Sequence, residues 1–94
     1  MEYGHADHKD KHHIILHRYE EELEDACEYA RLAEEMPEEA VGLSAIGRDE
    51  VTHANYLREI LEEHNHVFSD EDEKKWHHVL KKVRLGSIKI GGRS

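Results

Sequence analysis

Pro37 is the only proline in the chain, and it stands between two stretches whose apolar residues recur every three or four positions. That spacing marks a helix with one face turned to a neighbour. Proline cannot continue a helix interior but suits a first turn, so it divides the pattern into two helices. The first is expected from about His12 to about Glu35, the second from about Pro37 to about His66. Glu38 and Glu39 follow the proline and place negative charge at the positive end of the second helix.

A third, shorter helix is predicted from Ser69. The run Ser69-Asp70-Glu71-Asp72-Glu73 joins an N-cap residue to an acidic first turn. Trp76, Val79, Leu80 and Val83 share one face, Lys81, Lys82 and Arg84 load the last turn with positive charge, and Gly86 offers a stop. Residues 1–11 are polar without periodicity and read as a flexible histidine-rich arm; residues 86–94 are glycine-rich and read as a flexible tail. No strand alternation or repeat is present. The expected fold is all-α: an antiparallel helical hairpin plus a short C-terminal helix, spanning residues 12–85.

Each long helix carries charge inside its apolar stripe. The first stripe is Ile15, Tyr19, Glu22, Ala26, Tyr29, Ala33, Met36, flanked by Leu16, Leu23 and Ala30. The second is Leu43, Ile46, Glu50, His53, Leu57, Ile60, His64, Val67, flanked by Ala40, Gly47, Ala54 and Leu61. Residues three apart on a helix are neighbours, so Glu50 and His53 can reach one point. Burying a bare carboxylate costs several kcal/mol unless it is paired or binds a metal. No lysine or arginine lies in either stripe, and Arg31 and Arg48 project elsewhere by helical phase. A metal cation is the compensator these residues call for, with Glu22, Glu50 and His53 as its ligands.

Composition points the same way. The chain has 94 residues, 37% apolar and 37% charged, with a net charge of −9. A domain this small buries a modest core, and oligomerisation is a common remedy. The negative charge disfavours nucleic acid and anionic membrane as partners. Cys27 is the only cysteine, so neither an intrachain disulfide nor a cysteine-based metal motif can form. No apolar run is long enough to cross a bilayer, and the N-terminus lacks the apolar stretch of a signal peptide. A cytoplasmic location is expected.

One chain thus offers Glu22 from one helix and Glu50-x-x-His53 from the next. Carboxylate-bridged di-iron bundles use a Glu from each of two helices and Glu-x-x-His from each of the other two. Two copies of this hairpin supply that full set as a homodimer. The segment Glu21-Glu22-Leu23-Glu24-Asp25-Ala26-Cys27-Glu28-Tyr29, followed by Glu50-Val51-Thr52-His53-Ala54, resembles the ferritin-like superfamily. Over about residues 14–66 it is most similar to the encapsulated ferritins, half-size relatives of ferritin. The resemblance implies a four-helix bundle formed by two subunits, assembled into a larger ring. It also implies a ferroxidase that oxidises Fe(II) with oxygen at an inter-subunit di-iron site and passes ferric iron into an encapsulin shell. Glu22, Glu50 and His53 would be the ferroxidase ligands, Tyr29 a neighbour of the site, and Glu21 and Glu24 acidic residues that lead iron to it. The segment Leu85-Gly86-Ser87-Ile88-Lys89-Ile90-Gly91 is similar to encapsulin cargo-loading peptides.

The remaining histidines have plainer readings beside metal binding. His8, His12, His13 and His17 contain i, i+4 pairs able to chelate, but they lie near the polar arm and are read as solvated. His77 and His78 are adjacent and diverge. His64 falls on the second stripe at a helix end, an auxiliary ligand candidate or a solvent-facing cap. Tyr29 serves equally as core packing. Rubrerythrin-type peroxide reduction would need rubredoxin cysteines, which are absent. Two functions compete with the ferroxidase: a non-catalytic Zn, Mn or Fe binder using the same ligands, and a purely structural helical assembly.

Overall fold

A computed structural model describes the backbone of residues 3–91 and the side chains of residues 11–83. The chain runs α1 (Tyr3–Glu35), a 3-10 turn (Pro37–Glu39), α2 (Ala40–Glu63) and α3 (Asp70–Gly91), with no strand among the described residues. The all-helical class and the three-helix order match the sequence expectation.

The breaks have local causes. Met36 precedes Pro37 and leaves the helical region, at φ −125 and ψ 76, as the clash with a following proline ring demands. At the end of α2, Asn65 takes a positive φ of 69. The Asn65 N–H bonds the Glu62 carbonyl at 3.0 Å and the His66 N–H bonds the Leu61 carbonyl at 2.9 Å. This is the Schellman arrangement, with asparagine in place of the usual glycine. It stops α2 at Glu63 rather than near His66. At α3, Ser69 Oγ accepts from the Asp72 N–H at 3.0 Å, and the Asp72 carboxylate accepts from the Ser69 N–H at 3.3 Å. That reciprocal capping box satisfies two otherwise orphaned donors.

The outer ends of α1 and α3 run further than expected. α1 begins at Tyr3, so most of the residues read as an arm continue the helix. α3 runs through Gly86 to Gly91, so it is not short and most of the presumed tail is helical. No proline bars propagation at either end, and one glycine inside a helix costs only about 1 kcal/mol relative to alanine. Residues 92–94, and the side chains of Leu85, Ile88 and Ile90, lie outside the described residues.

α1 and α2 form an antiparallel hairpin. Ala26 and Tyr29 lie against Gly47, and, further from the turn, Tyr19 meets Arg58. The inner seam is built from Tyr19, Leu23, Ala26, Ala30 and Ala33 of α1 with Ala40, Ser44, Gly47, Ala54 and Leu61 of α2. α3 closes the open end of the hairpin with Trp76, Val79 and Val83, and buried Phe68 joins them from the preceding loop.

Within this corner the Arg58 side chain is only 11% exposed. Its Nη1 donates to the Tyr19 hydroxyl at 3.1 Å, and its Nη2 donates to both Glu73 oxygens at 2.6 and 2.7 Å. The guanidinium also lies 4.3 Å from the Phe68 ring centroid and 5.0 Å from that of Trp76. Burial opposes the Arg58 charge, but the bonds to Glu73 and Tyr19 outweigh it and raise its pKa. Burial likewise pushes the Tyr19 hydroxyl up, against the pull of Arg58. One side chain on α2 thus ties α1 to α3.

Candidate metal centre

Glu22 comes from α1, and Glu50 and His53 from successive turns of α2. Each offers a ligand atom, and these atoms all lie within 4.8 Å of one another. His53 Nδ1 is 3.7 Å from Glu22 Oε1 and 3.7 Å from Glu50 Oε1. Those separations are too long for hydrogen bonds but suit donors arranged around an ion. Glu22 Oε1 is buried and has no hydrogen-bond partner.

The charge balance is unfavourable without a cation. The Glu50 carboxyl is held above its ordinary range, first by a hydrogen bond to Glu22, then by burial and then by the Glu22 charge, while His53 pulls it down. Two carboxylates can bond to each other only if one keeps a proton, and that is why the neighbour raises the pKa. Asp25 nearby is raised as well, first by burial and then by Glu50, Glu21, Glu24 and Glu28. A divalent ion among these oxygens would replace the proton and relieve the repulsion.

Helical phase puts the cluster at the border of the seam, not at its centre. The Glu22 and Glu50 side chains are 23% and 20% exposed, and that of His53 is 61% exposed. In α2 the expected roles are exchanged. The flanking residues Ala40, Gly47, Ala54 and Leu61 are buried, while Ile46, His53, His64 and Val67 of the stripe are exposed. Two adjacent stripes share the same spacing, and the one with smaller residues lets α1 approach most closely. A Cβ built on Gly47 would lie 3.5 Å from Tyr29 Cβ and 3.6 Å from the Ala26 carbonyl oxygen. The larger and charged residues then fall on the outer, open face.

That open face has a groove lined by Arg18, Glu22, Thr52, His53, Tyr56 and Leu57. Arg18 is a cation near the cluster that the stripe analysis missed; its guanidinium pairs with Glu21 at 3.5 Å. The structure does not bring the auxiliary candidates to the cluster. Glu21 is engaged with His17, at 3.1 Å, and with Arg18. Glu24 is exposed on the same helix. His64 caps its own helix, with its ring nitrogen 3.0 Å from the Ile60 carbonyl. Tyr29 is half-buried beside Gly47. Cys27 is free and packs against the core. Arg31 pairs with Glu28 and Glu35 on the exposed side of α1.

Arg58 is the other residue the stripe analysis missed. It falls four positions after Ala54 and three before Leu61, so it is in phase with the inner seam, and choosing that stripe would have exposed it as the one cation there. Of the described helices, none is long and apolar enough to cross a membrane. Comparison of the chain with models of known protein families, with curated proteins and with solved structures finds no match.

Proposed function

We propose that the chain is a ferroxidase whose site is completed by a second copy of itself. The observation that carries this reading is the convergence of Glu22, Glu50 and His53 around an orphaned buried oxygen. One chain offers three ligands, too few to hold two ions close together. Two copies, docked through the open faces of their hairpins, provide four carboxylates and two imidazoles. Large apolar side chains on that face favour such docking: Ile46 is 40% exposed and Tyr56 64%.

Ferrous iron is the substrate. Glutamate oxygens and imidazole suit Fe(II), and hard carboxylates favour the ferric product. Two ferrous ions held between the copies each give up one electron, and dioxygen accepts both with two protons to leave as hydrogen peroxide. Glu50 would bridge the two ions across the pairing of the copies, with Glu22 and His53 as terminal ligands; Tyr29, set against Gly47, stands outside the ligand set. Delivery of the ferric product into an encapsulin shell, and docking there through residues 86–94, extends the reading by resemblance. The same ligands with Zn or Mn would make a non-catalytic binder.

The test is aerobic addition of ferrous iron with the near-ultraviolet ferric absorbance followed over time. Rapid oxidation by the natural chain, lost in Glu22→Ala and Glu50→Ala, supports the assignment. Equal rates in the variants would overturn it. Metal analysis of the purified protein separates iron from a resident Zn or Mn.

A further inference from the structure

His12 and His66 are 54 positions apart in the chain, yet His12 Nε2 stands 3.1 Å from His66 Nδ1, with both side chains part-buried. The expected solvation of His12 is therefore corrected. The position of His66 is well defined. The left-handed Asn65 and the bond from the His66 N–H to Leu61 set its backbone. Its ring stands edge-on to buried Phe68, with centroids 4.6 Å apart. His12 is carried on the long helix α1.

Two neutral imidazoles that face each other share one proton, one ring donating and the other accepting. Whichever way that proton lies, His66 Nε2 is left buried and without a partner. Buried polar atoms are seldom left so, and an apolar pair would join the same segments with no orphan.

We propose that His12 and His66 form a second metal site, which binds one borderline divalent ion such as Zn²⁺ between His12 Nε2 and His66 Nδ1. At metal–nitrogen distances of roughly 2.0–2.1 Å, donors 3.1 Å apart subtend roughly 100° at the ion, close to a tetrahedral angle. Among the described residues no third histidine, cysteine or carboxylate joins the pair, so water completes the coordination. An all-imidazole donor pair selects Zn²⁺, Cu²⁺ or Ni²⁺ over hard ions such as Mg²⁺ and Ca²⁺. The ion takes the place of the shared proton and clasps α1 to the turn between α2 and α3. This site uses none of the residues of the Glu22, Glu50, His53 cluster and does not depend on the ferroxidase reading.

The full chain titrated with Zn²⁺ alone tests it. In the natural protein, the side-chain ¹H–¹⁵N resonances of His12 and His66 should shift together, and the thermal midpoint should rise. A Glu22→Gln, Glu50→Gln, His53→Ala chain should keep this response. His12→Gln and His66→Gln should bind this zinc roughly tenfold more weakly or not at all. Zinc that leaves both ring resonances of the natural protein unmoved overturns the proposal. So does unchanged affinity in both variants. If His66→Gln does not fold by circular dichroism, the spectrum of the natural protein decides alone.

Discussion

Glu22 lies against Glu50, and this neighbour, ahead of burial, holds the Glu50 carboxyl above its ordinary range. Between the unfolded and the raised folded pKa, the folded chain keeps a proton that the unfolded chain has released. Stability therefore falls as pH rises through that window, and is regained as pH falls back through it. Metal-free protein should melt higher near the acidic side of the window than at neutral pH, as far as Glu50 governs. Glu50→Gln removes the repulsion while keeping a hydrogen bond to Glu22. It should raise the neutral-pH melting temperature of the metal-free chain and cancel the stabilisation by Mn²⁺, a redox-stable stand-in for ferrous iron. Calorimetry with and without Mn²⁺ checks both, and identical behaviour of variant and natural chain would remove the basis for the pairing.

Ile46 sits one turn before Glu50 on the open face and is 40% exposed. If that face joins two copies, Ile46→Glu should place uncompensated charge in the contact. Light scattering should then give the mass of one chain, with helical content by circular dichroism unchanged. Ferrous iron oxidation should fall with the assembly. A natural chain already of single-chain mass would refute the shared site.

Arg58 joins Tyr19, Glu73, Phe68 and Trp76. Removing one partner of a mostly buried pair strands the other and empties the ring sandwich. Arg58→Ala should cost about 2–4 kcal/mol of unfolding free energy. Arg58→Met refills the volume without the charge and should cost less, leaving Glu73 to turn to solvent, since its side chain is 38% exposed. Urea melts of the two variants make the comparison, and equal losses would show that the charge and its hydrogen bonds, not packing, set the effect.

Gly42 and Gly47 lie on the same helix with different surroundings. A Cβ at Gly42 meets nothing within 4 Å, so Gly42→Ala should stabilise the chain by about 0.5–1 kcal/mol through helix propensity. At Gly47 a Cβ reaches ordinary contact with Tyr29 and Ala26, which leaves no room for a longer chain. Gly47→Leu should pry α1 from α2 and destabilise by about 1–3 kcal/mol. Melting temperatures of the two variants should move in opposite directions.

How far the sequence could be read depended on whether the signal was local. The break at Pro37, the Ser69 cap and the face of Trp76, Val79, Leu80 and Val83 rest on interactions within a few residues, and each was legible. The grouping of Glu22, Glu50 and His53 was legible too, because helical spacing restricts which side chains share a face. The outer ends of α1 and α3 were not. The extension of α1 to Tyr3 and of α3 to Gly91 reflects propagation through residues that carry neither a strong stop nor a strong start.

What the sequence determined by itself is therefore the set of helices and the faces on which chemistry stands. Period and cap chemistry decide those without knowledge of any partner element. Only the tertiary structure decided which of two equally spaced stripes on α2 became the seam, because small residues win the closest approach when another helix is present to make it. Only the fold, too, carried Arg58 to Tyr19 and His12 to His66, since a contact across dozens of residues leaves no periodic trace in the chain.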